Sequence, residues 1–110
     1  MKLDINKYLS DIDFAIDLIE KFIKDLEFTQ YQIDLKTKSA VERQLAIIGE
    51  AVNKYRKLSE KELSGSKEII AFRNRIVHAY NNIEDEIVWA ILINHLPKLK
   101  QEVSNILNRD

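Results

Sequence analysis

The stretch DINKYLSDIDFAIDLIEKFIKDL, residues 4–26, decides the fold class. Its apolar residues recur at intervals of three and four, which is the spacing that places side chains on one face of an α-helix. Phe14 and Leu18 lie off that face, and they indicate a second apolar contact, either with another helix of a bundle or with a second subunit. The stretch therefore predicts a long first helix that forms one wall of a helical bundle. The residues predicted on its main face are Ile5, Tyr8, Leu9, Ile12, Ala15, Ile16, Ile19, Phe22, Ile23 and Leu26.

Three further segments repeat the helical period. Residues 35–58 carry an apolar stripe with small residues beside it, which would let a neighbouring helix approach closely. A third helix is predicted from Ser66 to about Asn81, and a fourth covers residues 83–107, with Pro97 expected to kink it. Residues 27–34 lose the period and are predicted to form a connection with at most a short turn of helix. The sequence thus predicts an all-α, antiparallel four-helix bundle, or a five-helix bundle if the connection forms a short turn of helix, in a single domain spanning residues 1–110.

Composition narrows the classes of function. The chain has 110 residues, two glycines, one proline and no cysteine, which disfavours an all-β fold and excludes a disulfide framework and thiolate chemistry. It contains no apolar run of membrane-spanning or signal-peptide length, so we expect a cytoplasmic protein without a membrane partner. It also lacks a glycine-rich phosphate loop and metal-ligand spacing, so neither a cofactor nor a metal site is predicted.

Charge is distributed unevenly along the chain, although the formal net charge is only −1. Residues 1–35 carry eight acidic and four basic side chains, whereas residues 54–75 carry seven basic and three acidic ones. A local positive surface attracts a phosphate backbone even when the whole protein is nearly neutral. The same pattern is also produced by solvated helix faces, and composition does not choose between the two.

The octapeptide RNRIVHAY, residues 73–80, lies at the end of this basic segment and holds the candidate catalytic groups. A histidine such as His78 can remove the proton of an RNA 2′-hydroxyl or protonate the leaving 5′-oxygen without a metal ion. Arg73, with the amide of Asn74, can stabilise the charge that develops on the phosphoryl oxygens. The residue types therefore allow ribonuclease chemistry, with Arg75 as a further contact to RNA. A helix-terminal histidine and surface arginines are the ordinary structural alternative.

The spacing of the motif makes a structural prediction as well. Arg73 and His78 are five residues apart, so a regular helix separates their directions by about 140°. They can act on one phosphate only if the helix unwinds near His78, if the long Arg73 side chain bends across, or if a second subunit completes the site. His95, by contrast, lies on the apolar side of the last helix and is expected to be structural.

The octapeptide resembles the Arg-x4-His motif of the HEPN ribonucleases, with the following tyrosine of the HepT-type toxins. Residues 43–51 resemble the second-helix segment of that family, and Val88-Trp89 resembles the segment after its motif. The chain departs from the pattern at Ser64-Gly65-Ser66, where the family would have a Pro-Trp-type element. The resemblance covers most of the chain.

The resemblance implies a homodimeric, metal-independent RNase toxin of a type VII-like toxin–antitoxin pair. Arg73 and His78 would be catalytic and Asn74 supporting, in a cleft between subunits. Its partner would be an MNT-type minimal nucleotidyltransferase antitoxin that transfers AMP to Tyr80. The alternative is a non-catalytic HEPN-like module that binds a nucleotide or docks a nucleotidyltransferase through the same residues. Glu50 would either orient Arg73 or be an ordinary surface carboxylate.

Overall fold

The computed structural model describes residues 2–78 and 83–108, and every regular element in these ranges is helical. This confirms the prediction of an all-α bundle. None of the described helices has the length and apolar content that a membrane span requires. The elements are α1 (Lys2–Ile23), α2 (Phe28–Ile33), α3 (Leu35–Leu58), α4 (Ser66–His78), α5 (Asp85–Ala90), a π-helical turn (Ile91–His95) and α6 (Leu96–Asn108).

Helix α3 is the centre of the bundle, because it packs against α1 on one side and α4 on the other, while α6 covers α1. The predicted stripe of α3 is buried, and the main stripe of α1 supplies the facing surface. Burial of such apolar side chains is the dominant favourable term in folding. The most deeply buried residues on these two helices are Leu9, Ile12, Ala15, Ile16, Ile19, Val41, Leu45, Ile48, Val52 and Tyr55.

Helix α1 ends three residues earlier than the sequence predicts. Asp25 has a φ of 65°, in the left-handed region, which an α-helix cannot include. The amide of Leu26 donates instead to the carbonyl of Ile23 at 2.9 Å, which closes a turn. Aspartate visits this conformation more readily than most residues, so Asp25 provides a stop signal that apolar periodicity does not show.

Helices α2 and α3 are separated by one capping residue. The carboxylate of Asp34 accepts hydrogen bonds from the amide of Thr37 at 3.0 Å and from its hydroxyl at 2.7 Å. These bonds hold the pKa of Asp34 below its usual value. The short α2 places Phe28 and Tyr31 against Trp89, with ring centroids 5.9 and 5.3 Å apart. Helix α2 confirms the short turn of helix predicted within residues 27–34.

The irregularity expected at Pro97 is a π-helical turn just before it. The amide of Leu96 donates to the carbonyl of Ile91, five residues back, and the backbone remains right-handed helical at Ile91 and Leu96. Proline lacks an amide hydrogen, and its ring collides with the carbonyl four residues earlier in a regular helix. The π turn replaces the α-helical hydrogen-bond pattern in the turn just before this residue. It leaves Leu96 and Leu99 buried as the period predicts.

The connection between α3 and α4 is fastened to the last helices. The carboxylate of Glu102 accepts hydrogen bonds from the amide and hydroxyl of Ser64 at 3.0 and 2.6 Å. His95 Nε2 lies 3.1 Å from the carbonyl oxygen of Ser64, so it is the donor of that hydrogen bond. His95 is half-buried and has the structural role expected of it. These contacts fix the start of α4, the helix that carries residues 73–78.

Replacing Gly65 by alanine is expected to lower the free energy of unfolding by about 1–3 kcal/mol. Gly65 has a φ of 69°, and a Cβ there would meet the His95 ring, with Nε2 only 2.8 Å away. Urea unfolding of G65A, H95A and the double variant tests this. Because H95A removes the ring that the new methyl would meet, the double variant should lose less stability than the sum of the two single variants. Additive losses would contradict the proposed contact.

Candidate functional site

Helix α4 lies unusually close to α3 at Gly49. A Cβ on Gly49 would collide with Arg73 Cβ and would lie 2.8 Å from Arg73 Cγ and 3.2 Å from the carbonyl oxygen of Ile69. Only a residue without a side chain fits there. Gly49 is one of the small residues from which the sequence predicts a close helix approach. The base of the Arg73 side chain therefore lies directly on the α3 backbone.

The guanidinium of Arg73 is held by two neighbours. Its Nη2 lies 2.6 Å from Oε2 of Glu50, and its Nη1 donates to Oδ1 of Asn74 at 3.0 Å. The other carboxylate oxygen of Glu50 lies 3.6 Å from Nζ of Lys54. Of the two roles left open for Glu50, the structure supports contact with Arg73. The hydrogen bond from Arg73 to Asn74 joins two of the three predicted catalytic residues.

His78 is placed differently. It is the last residue of α4, it is exposed, and it makes no hydrogen bond or ion pair with any residue that the structure describes. Because α4 is regular from Ser66 to His78, the divergence of about 140° between Arg73 and His78 applies here. The helix does not unwind before His78, and Arg73 bends toward Glu50 on α3. One described chain therefore does not bring Arg73 and His78 together.

The remaining predicted residues are only partly described. Arg75 is exposed on α4, as a residue that contacts RNA must be. Tyr80, predicted to be modified, and the helix end predicted near Asn81 lie outside the described residues. Val77, next to His78, is 43% exposed. The regular turn of α4 directs Ile69 and Phe72 inward, so a residue five positions after Phe72 faces away from the core.

A cavity of about 320 Å³ opens between α1, α3 and α4 beside this cluster. Its lining includes Lys7 and Tyr8 from α1, Glu50 and Lys54 from α3, and Arg73 and Val77 from α4. The sequence pattern did not identify Lys7, Tyr8 or Lys54 as site residues. Lys7 and Tyr8, more than 60 residues before Arg73 in the chain, lie near it because α1 and α4 both pack on α3, the helix that carries Lys54.

The described residues contain no group of three or more histidine, aspartate or glutamate side chains arranged to hold a metal ion. The titratable groups gathered around Arg73 are instead basic side chains and carboxylates that already have basic partners. Such a surface is suited to binding an anion such as phosphate.

The fold and the family match define the class of the protein: an all-α protein of the HEPN type. Residues 12–106 match the family described as Ribonuclease HepT-like. The chain belongs to the HepT-like ribonuclease family.

Two relatives illustrate the similarity. The chain is 36% identical over 104 residues to "Probable ribonuclease HepT" of Thermococcus cleftensis, covering 91% of this chain and 93% of the relative. It is 33% identical over 114 residues to "Putative RNase MJ0127" of Methanocaldococcus jannaschii, covering 96% of this chain and 89% of the relative. No solved structure matches the chain.

Proposed function

We propose that this protein is a metal-independent endoribonuclease whose site lies in a cleft between two subunits, with Arg73 and His78 catalytic and Asn74 supporting. The observation that carries the proposal is the arrangement of the motif. Arg73 and Asn74 form one cluster against α3, while His78 is exposed and unengaged by the described residues. Membership of a ribonuclease family supports the reaction class.

The reaction requires one proton-transfer group and one cation. His78 accepts the proton of the 2′-hydroxyl, whose oxygen attacks the adjacent phosphorus, and the bond from phosphorus to the 5′-oxygen breaks. The 5′-oxygen takes a proton from water as it leaves, His78 returns its proton to the solvent, and the 2′-oxygen remains bonded to phosphorus in a cyclic phosphate. Arg73 donates hydrogen bonds to the phosphoryl oxygens as negative charge develops on them. Arg75 contributes a positive charge for the rest of the RNA strand.

A homodimer supplies what a single chain does not bring together. Phe14, off the main stripe of α1, is 65% exposed, and it lies three residues after Asp11, which lines the cavity beside Arg73. Val77 adds a second exposed apolar side chain, next to His78. Exposed apolar residues around a polar site are typical of an interaction surface. In the proposed dimer this surface joins the subunits, and the two motifs face one cleft.

We further propose a cytoplasmic toxin that an MNT-type nucleotidyltransferase antitoxin neutralises by transferring AMP to Tyr80. The tyrosine oxygen would bond to the α-phosphorus of ATP, and pyrophosphate would leave. The product adds a nucleotide and a negative phosphate two residues from His78. Both the added bulk and the charge would exclude an RNA backbone from the site.

The test is cleavage of single-stranded RNA by the purified protein in excess EDTA. Cleavage supports the ribonuclease proposal. RNA binding without cleavage would support the alternative of a non-catalytic HEPN-like binding module. Intact-mass measurement after co-expression with an MNT-type nucleotidyltransferase tests the neutralisation, because each AMP adds a fixed mass that peptide mapping assigns to Tyr80. Loss of toxicity with Tyr80 unmodified would refute this part of the proposal.

Changing Glu50 to glutamine is expected to reduce cleavage about 10- to 100-fold through misplacement of Arg73. It should change the free energy of unfolding by no more than about 1 kcal/mol, because the Arg73–Glu50 pair is partly exposed, at 28% and 41%. Initial rates and urea unfolding measure the two effects. Glu60→Gln, which removes the same charge from an exposed position in the connection before α4, is the matched control. Equal rates for the two variants would exclude a positioning role for Glu50.

A further inference from the structure

We propose that the cavity between α1, α3 and α4 is a subsite for one RNA nucleotide next to the cleaved phosphate, with its base on the ring of Tyr8 and its phosphate on Lys54. The proposal rests on the ribonuclease function proposed above and adds the residues that hold the substrate. It explains why a basic cavity lies directly beside Arg73 in a chain whose net charge is −1.

The cavity is basic after its internal ion pairs are taken into account. It is lined by four cations, Lys7, Arg43, Lys54 and Arg73, and by two carboxylates, Asp11 and Glu50. Asp11 is paired with Lys7 at 3.0 Å, and Glu50 is shared between Arg73 and Lys54. Arg43 is exposed and has no ion pair with any residue in the described part of the chain. Two positive charges therefore remain for a phosphate.

Tyr8 supplies the aromatic surface. Its ring is half-buried and lines the cavity, with Nζ of Lys54 5.9 Å and Nζ of Lys7 6.0 Å from the ring centroid. These distances are at the outer limit of cation–π contact, so neither ammonium is tightly held against the ring. Cationic groups that flank an aromatic ring form the combination that holds a base and its phosphate in single-stranded nucleic-acid sites.

Size and position limit the ligand. A volume of about 320 Å³ is near the lower end of the range for small-molecule sites, roughly 300–1,000 Å³, and suits a single nucleotide. Ala46 and Ala51 on α3 contribute small apolar side chains to the wall of the cavity. Arg73 lines the same cavity, so a nucleotide on Tyr8 would present its neighbouring phosphate to the proposed catalytic arginine.

The test uses His78→Ala protein, which keeps the RNA intact. Fluorescence anisotropy measures its affinity for a short labelled single-stranded RNA and for a ribose-phosphate chain of equal length that lacks bases. Adding Tyr8→Leu should weaken binding to the RNA about tenfold and leave binding to the base-free chain unchanged, whereas Tyr8→Phe should preserve both. Adding Lys54→Ala should weaken both and reduce the salt slope by about 0.7. Lys36→Ala, the same change at an exposed position about 27 Å away along α3, should alter neither.

The outcomes separate this proposal from the one on which it rests. If Tyr8→Leu weakens binding to both chains equally, Tyr8 has a structural role and the subsite is wrong, even if the wild type cleaves RNA. If Lys54→Ala matches Lys36→Ala, the phosphate contact is wrong. If the wild type cleaves no RNA but binds it with the same base dependence, the subsite stands and the catalytic proposal fails.

Discussion

Replacing His78 by alanine is expected to abolish detectable RNA cleavage and to leave the fold intact. A positioned proton-transfer group contributes about 10²- to 10⁴-fold to a rate, so its loss should be the largest single effect in the motif. Stability should change little, because His78 is exposed at the end of α4 and makes no contact with described residues that the substitution would break. Initial cleavage rates in EDTA and urea unfolding measure the two quantities.

Arg73 tests the other half of the site. Arg73→Ala should reduce cleavage about 10²- to 10³-fold, the effect of removing one group that stabilises developing charge. Arg73→Lys keeps the charge but not the two donor groups that contact Glu50 and Asn74, so it should restore little of the activity. Mixing the inactive Arg73→Ala and His78→Ala proteins tests whether the two subunits share one cleft. A heterodimer of these proteins can carry one intact Arg73 and one intact His78, so the mixture should regain cleavage.

The control for the histidine is His95→Gln, which retains an N–H donor for the carbonyl of Ser64 and should cleave like the wild type. Preparing all variants in parallel excludes a contaminating nuclease, since such an activity would survive in His78→Ala. Full cleavage by His78→Ala in EDTA would remove His78 from the mechanism. Cleavage that requires added divalent metal would overturn the metal-independent reaction.

The helical segments could be predicted because each buries one continuous stripe. The bounds of α3, residues 35–58, follow from its period and are confirmed. The end of α1 does not follow, because it depends on the left-handed conformation of Asp25 rather than on an apolar residue. The π turn before Pro97 is a local adjustment of hydrogen bonding, and the proline predicts a kink there but not the form that the distortion takes.

The candidate site also has features that the sequence predicts and features that depend on helix packing. The chemistry proposed for Arg73 and His78, and the divergence of their side chains, follow from residue type and from spacing along one helix. The contact of Arg73 with Glu50 and the neighbouring Lys7, Tyr8 and Lys54 depend on how α1 and α4 pack on α3. No local pattern in the sequence encodes those distances. Gly49 was the exception, since an isolated glycine within a helix indicates a close approach, although not which residue approaches.

Gly49→Val is expected to destabilise the fold strongly, because a side chain at this position has no room beside Arg73. It should lower the free energy of unfolding by about 3 kcal/mol, the upper part of the usual range for overpacking, out of a total of about 5–15 kcal/mol for a small domain. Gly49→Ala should also destabilise, although helix propensity alone would make it stabilising by about 1 kcal/mol. Urea unfolding distinguishes the two signs, and a more stable Gly49→Ala would show that α4 is not in contact with α3 at this point.

Substitutions of Arg73 test whether the collision with residue 49 causes the loss of stability. A new Cβ at position 49 would meet Arg73 Cβ first, and that atom cannot rotate away because it is fixed to the α4 backbone. Arg73→Ala retains the atom and should not relieve the strain, whereas Arg73→Gly removes it and should restore part of the stability. Because Glu50 follows Gly49 directly, any outward shift of α4 also separates Arg73 from its carboxylate partner. Folded Gly49→Ala protein should consequently cleave RNA more slowly than the wild type, since one residue sets the helix spacing and the next sets the position of the arginine.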